Sequence, residues 1–134
     1  MPSEQDALTV TGLSYSYGTR KALRDVTFSV KAGTLFALLG PNGGGKTTLF
    51  RIASTLSSTD PGHVKVFGHD VTTEDATIRK LIGVVFQSPS LDGQLTVSEN
   101  LRCHGLLYGL HGGQLESRID ASLAFVGLSE RSSD

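Results

Sequence analysis

The segment that most limits what this chain can fold into is Gly40-Pro41-Asn42-Gly43-Gly44-Gly45-Lys46-Thr47. An unbroken apolar run, Leu35-Phe36-Ala37-Leu38-Leu39, leads into it. Behind it, Leu49, Ile52, Ala53 and Leu56 share one helical face. A short apolar run ended by turn residues reads as a strand buried on both faces. The order predicted is therefore strand, glycine-rich turn, helix. The octapeptide fits G-x-x-x-x-G-K-[ST], and its chemistry is phosphate binding. Glycines let successive backbone N–H groups point into one concavity that holds phosphate oxygens. The helix adds its unbonded first N–H groups and the positive end of its dipole. Lys46 is placed to set its ammonium against β- and γ-phosphates. Thr47 offers a hydroxyl to Mg²⁺, and Thr48 can reach a phosphate oxygen. Asn42 and Gly43 shape the loop. A plain turn has no need of consecutive glycines ending in Lys-Thr-Thr.

Around this core the pattern alternates. Tyr15 and Tyr17 step with strand period after a slip near Gly12 that reads as a bulge, and Val26, Phe28 and Val30 alternate in a second strand. Val64 and Val66 mark a short strand, and Leu81-Ile82-Gly83-Val84-Val85-Phe86 a further buried one, with a short helix around Glu74–Lys80 between them. Thr96 and Glu99 form a capping box that opens a helix to about Tyr108. A last helix runs from about Gln114 to Val126, stopped by Gly127. Strands alternating with helices suggest an α/β domain with a parallel sheet.

Composition narrows the class. The 134 residues carry 12 basic and 13 acidic side chains, a net charge of -1, which argues against a nucleic-acid-binding domain. No apolar run reaches the roughly 18 residues of a membrane span, and Met1–Asp6 is polar rather than a signal peptide. The expectation is a soluble, intracellular, one-domain chain. The single cysteine, Cys103, excludes an internal disulfide and is expected to be a buried small hydrophobe. His63, His69, His104 and His111 fit no metal-site spacing and read as turn or surface residues. Asp25, Asp70, Asp92 and Glu99 do not follow an apolar strand as a metal-binding or catalytic carboxylate would, so no catalytic base is assigned.

Gly40–Leu49 resembles the Walker A segment of ABC transporter ATPases, where G-P-N-G-[AS]-G-K-T-T-L is usual; Gly44 departs from the usual Ala or Ser but is small. Tyr15-Ser16-Tyr17-Gly18, Ala22-Leu23 and Val26-Thr27-Phe28 resemble the family's first hairpin. Gly62–Gly68 resembles the strand and turn after the loop's helix. Ile82-Gly83-Val84-Val85-Phe86-Gln87 resembles the Q-loop, and Leu95–Leu101 the helix start that follows it. The resemblance covers residues 7–134 in order.

It implies an α/β fold: a P-loop NTPase core with an antiparallel β subdomain over 1–94 and the start of a helical subdomain over 95–134, incomplete. It implies ATP and Mg²⁺ as ligands, with Tyr17 stacking on adenine. Asn42, Gly43, Gly44, Gly45, Lys46, Thr47 and Thr48 then hold the nucleotide, Thr47 and Gln87 touch the metal, and Gln87 serves catalysis by contacting Mg²⁺ or the attacking water. The signature, Walker B and switch histidine of the family do not occur within the 134 residues. The chain is expected to be a truncated ATP-binding subunit that binds ATP without turnover. Its partners would be a second ATPase domain and a membrane-spanning permease that holds it at the inner face of the plasma membrane, with no nucleic acid. The stretch Gln94–Leu110 resembles the exporter branch that moves drugs, lipids, polysaccharides or nodulation signals. There Ser88, Pro89 and Leu91 would be exposed for the permease. A non-catalytic nucleotide-binding remnant and a non-transport ATPase of the same family are the alternatives; a kinase or GTPase would need a base-recognition or lid motif, and none is found.

Overall fold

Alternation at Val26, Phe28 and Val30 puts these side chains on one face of an extended chain. In the computed structural model, which describes residues 5–88 and 90–134, that strand is β2, Arg20–Lys31. It pairs antiparallel with β1, Asp6–Tyr17, through a tight turn that sets Tyr17 opposite Arg20. The bulge expected near Gly12 is present, because the register shifts between Val10 and Leu13. The groups freed there find other partners. The Gly12 N–H donates to the Thr27 hydroxyl at 2.8 Å, and the Thr11 N–H to the His63 carbonyl at 2.8 Å. On its other edge β1 pairs antiparallel with β3, Val64–Val66, which turns into β4, His69–Asp70. The sheet order is β2-β1-β3-β4.

Two helices cover the apolar side of this sheet. Leu49 and Ile52 of α1, Lys46–Ala53, and Ile78 of α2, Asp75–Leu81, join Val10, Leu13, Leu23, Val64, Val66 and Val71 in one buried cluster. Each such side chain contributes about 1.5–3 kcal/mol by leaving water. Leu56, expected on the same helical face, is half-exposed instead. The helix ends at Ala53 and Thr55 turns left-handed at φ 62°, which carries Leu56 off the face.

The two expected parallel strands are not formed. Leu35–Leu39 and Ile82–Phe86 have no ladder partner among the described residues, and the sheet there is antiparallel throughout. A run that is apolar on both faces becomes a strand only when neighbours supply hydrogen bonds and cover. Leu35 and Val85 are instead almost wholly exposed. Leu38 still packs against the core, and the Phe36 ring stacks on Phe28 with centroids 5.3 Å apart.

One close approach fixes the loop that follows. A Cβ added at Gly45 would lie inside the Ala22 carbonyl oxygen and 2.7 Å from Leu23 Cδ2, and Gly45 is left-handed at φ 84°. Only glycine meets both conditions without strain. The start of β2 is thereby set directly against the start of α1.

Contacts divide the chain into two units, Met1–Val84 and Val85–Asp134. In the second, α3, Val97–Leu107, opens on the expected capping box. The Thr96 N–H donates to Glu99 Oε2 at 2.8 Å, and the Glu99 N–H to Thr96 Oγ1 at 3.2 Å. Leu115, Ile119 and Leu123 of α4, Gly112–Phe125, bury against Val97, Leu101, Leu110 and Leu128. Gly105 lets the helices close, since a Cβ there would strike Leu115. Arg102 and Glu116 form a forked ion pair across them. At the end of α4 the Leu128 N–H donates to the Leu123 carbonyl at 2.8 Å and the Gly127 N–H to Ala124 at 3.2 Å, the 6→1 and 5→2 pair that left-handed Gly127 permits. Cys103, expected to be buried, is exposed. It lies roughly 200° around α3 from Leu101, which packs on α4.

Two tests follow from this packing. Gly45→Ala is expected to cost about 2–5 kcal/mol, from left-handed strain plus overpacking against β2. Gly44→Ala, whose Cβ would sit 3.0 Å from the Pro41 carbonyl oxygen, is expected to change stability by less than about 1 kcal/mol. Urea midpoints of the two variants compare them. The second test is acid. Burial pushes the Asp70 carboxyl up, but hydrogen bonds from the Thr72 side chain, Thr72 backbone and Gly62 backbone, with the Lys65 charge, hold it below the usual range overall. The His69 side chain and the Asp70 N–H lower Glu74, and the Thr96 N–H and hydroxyl lower Glu99. A depressed carboxylate stabilises above its unfolded pKa, about 4, and that stability is lost as pH falls through the folded value. Melting temperature should therefore drop between about pH 5 and pH 3, and Asp70→Asn combined with Glu99→Gln should make that drop shallower.

Candidate nucleotide-binding site

The loop from Gly40 to Gly45 bends back on itself. The Gly44 N–H donates to the Pro41 carbonyl at 3.1 Å, while Gly43 and Gly45 take left-handed φ values of 80° and 84°. Gly45 is the N-cap of α1, no side chain caps it, and no acidic residue stands in the first turn. The first helical bond is Leu49 N–H to the Gly45 carbonyl at 2.9 Å. The N–H groups of Lys46, Thr47 and Thr48 precede it and have no intrahelical acceptor. This end of α1 thus carries uncompensated positive potential.

Lys46 adds a full charge at the same place. Its ammonium donates to the Gly40 carbonyl at 2.6 Å and the Pro41 carbonyl at 2.7 Å, so it lies under the loop. No carboxylate pairs with it among the described residues. Thr47 is exposed on the first turn and Thr48 is buried behind it. A left-handed glycine cradle, an uncapped helix start and an unpaired ammonium fit a polyphosphate. The Thr47 hydroxyl is the hard oxygen donor that a phosphate-bound Mg²⁺ takes. No group of His, Cys, Asp and Glu suited to a metal occurs among the described residues.

The hairpin brings Arg20 to this loop and carries Tyr17 across the turn from it. Tyr17, at the end of β1, is half-exposed and braced edge-on by Tyr15, with centroids 5.1 Å apart and planes at 75°. Arg20, its register partner, places Nη2 3.4 Å from the point where a Cβ of Gly43 would stand. Sequence reading did not single out Arg20; the signal was its place across the turn from Tyr17.

The remaining sequence candidates separate. Gln87 is exposed and belongs to the second unit, as do exposed Ser88 and Leu91, while Pro89 lies outside the described residues. The histidines of the first unit serve turns: His63 Nδ1 is 2.7 Å from the Thr11 carbonyl, and His69 Nδ1 is 2.8 Å from Glu74. Among the described residues no helix is long and apolar enough to cross a membrane.

Known proteins with this pattern agree. The family described as ABC transporter matches residues 23–134. The daunorubicin resistance ATP-binding protein DrrA3 of Streptomyces coeruleorubidus is 40% identical over 124 residues, covering 92% of this chain and 39% of that protein. The Nod factor export ATP-binding protein I of Sinorhizobium fredii is 38% identical over 125 residues, covering 93% of this chain and 36% of that protein. The chain thus spans well under half the length of these relatives. Among solved structures, an ATP-binding subunit of an ABC transporter superposes with a TM-score of 0.80 at 32% identity, over 96% of this chain and 53% of that one. The cbiO1 subunit from Clostridium perfringens, part of the cbiONQ transporter complex, gives 0.79 at 26% identity, over 98% and 54%. With the family match over residues 23–134 and the fold shared by these ATP-binding subunits, this chain belongs to the ABC transporter family.

Proposed function

We propose that the chain binds Mg-ATP through Gly40–Thr48 and, within the complete protein, powers export through a separate membrane-spanning permease. The observation that carries this reading is the cradle itself. An ammonium, an uncapped helix start and left-handed glycines converge on one loop with no carboxylate among the described residues to neutralise them. Lys46 and the N–H groups of Lys46, Thr47 and Thr48 hold phosphate oxygens, Asn42, Gly43, Gly44 and Gly45 give the loop its shape, and Thr47 holds Mg²⁺. The metal supplies charge neutralisation on the phosphates, since phosphoryl transfer to water rests on positioning and charge. Tyr17 presents a π-face to the base. Gln87 contacts Mg²⁺ or the attacking water.

The export direction is supported by the relatives' names, daunorubicin resistance and Nod factor export among them. Residues 1–94 act as the nucleotide-binding core with its β subdomain, and 95–134 begin the helical subdomain. The working unit pairs two ATPase domains at the inner face of the plasma membrane, held there by the permease. The 134 residues alone bind ATP without turnover, because the family's catalytic glutamate and signature do not occur in their sequence.

Calorimetric titration tests the cradle. Lys46→Ala is expected to weaken Mg-ATP binding by about 10–100-fold, the worth of a charge-assisted hydrogen bond; equal binding by both forms would overturn the reading. Tyr17→Ala should weaken ATP and GTP alike by about 5–100-fold while Tyr17→Trp retains affinity, since stacking needs only a π-face. Steady, Lys46-dependent phosphate release by the purified chain would refute the absence of turnover.

A further inference from the structure

We propose that Arg20 is a further polyphosphate ligand of this site, clamping the terminal phosphates from the hairpin. The proposal rests on the nucleotide-binding reading above. Its ground is placement. The Arg20 guanidinium lies over the loop at Gly43, where its Nη2 would touch an added Cβ at 3.4 Å. Two residues further along β2, Ala22 and Leu23 are locked against Gly45, so the strand that carries Arg20 is fixed relative to the loop.

The guanidinium is also uncommitted. Arg51, Arg79, Arg102 and Arg131 each hold an oxygen of Ser57, Asp75, Glu116 or Asp134. Arg20, like Arg24 and Arg118, has no such partner among the described residues, and what sets Arg20 apart is its approach to the loop at Gly43. Lys46 is different, because its ammonium is already bound to the Gly40 and Pro41 carbonyls. It offers a point charge from beneath the loop, whereas Arg20 offers a planar fork of donors that matches two phosphate oxygens at once.

The hairpin end then has a divided role. Tyr17 and Arg20 are paired across the turn, one aromatic and one cationic. A nucleotide whose base lies on Tyr17 runs its phosphates toward Gly43, where Arg20 is. A Cβ at position 43 would sit in van der Waals contact with the guanidinium, and a side chain there is strained at φ +80°.

Equilibrium titration with two probes, Mg-ATP and inorganic tripolyphosphate, tests this on the full chain. Arg20→Ala is expected to weaken both by the same factor, about tenfold or more. Arg20→Lys, which keeps the charge and loses the fork, should recover part of the loss. Tyr17→Ala should weaken ATP alone. Matching far-ultraviolet spectra and melting temperatures for the exposed-site variants confirm that folding is unchanged. If Arg20→Ala binds both probes as the parent does while Lys46→Ala does not, the Arg20 assignment fails and the nucleotide-binding reading stands. A loss confined to ATP, with tripolyphosphate unaffected, also overturns it, because Arg20 would then act on the nucleoside. If Lys46→Ala too is without effect, the nucleotide-binding reading itself falls.

Discussion

The contact of Gly45 with the Ala22 backbone and the Leu23 side chain governs the first unit. On the Ala22 side it is a backbone-on-backbone approach, so it is short, rigid and intolerant of any side chain. From it the start of α1, the loop before it and the turn end of the β1–β2 hairpin take fixed relative positions. Hydrophobic burial around Leu13, Ile52 and Val64 supplies the energy of this unit. That energy is nearly indifferent to small shifts of a helix over a sheet, because apolar burial has no direction. The glycine contact supplies the direction, and the site needs it more than it needs additional burial.

The glycine loop, the helix start behind it and the ammonium beneath it were legible in the sequence because their requirements are local. Backbone amides, a helix start and one ammonium all come from a single short segment, so spacing alone carries them. The capping box at Thr96 and Glu99 and the stop at Gly127 were legible for the same reason. Leu35–Leu39 and Leu81–Phe86 were read as buried strands, and that reading depends on partners that the segments themselves cannot specify. Their apolar composition records what a strand wants on both sides; the described residues provide no ladder for them. Cys103 failed in a related way. Helical phase relative to Leu101, rather than residue type, decides its exposure.

The site has a second layer that spacing could not reveal. Arg20 lies twenty residues before the start of the loop and arrives there only through the antiparallel register with Tyr17 and the Gly45 contact. An arginine in a turn is ordinary in sequence, and its place across the turn from Tyr17 is the one mark the residues around it give. What distinguishes it is the distance from its guanidinium to Gly43, a quantity that exists only after folding. The glycine loop and the hairpin turn thus reach one place by different routes. One is encoded in a motif and the other in a hairpin's geometry.

The exposed apolar segments bear on how the chain unfolds. Leu35, Leu39 and Val85 have relative exposures of 102%, 89% and 99% in the folded state. Side chains already in contact with water gain nothing in hydration when structure is lost. The surface newly exposed on denaturation is correspondingly smaller than chain length implies. Both the denaturant slope and the heat-capacity increment scale with that surface. The unfolding transition of this chain is therefore expected to be broader in urea, and its stability curve flatter in temperature, than its length implies, even though Ile52 is fully buried.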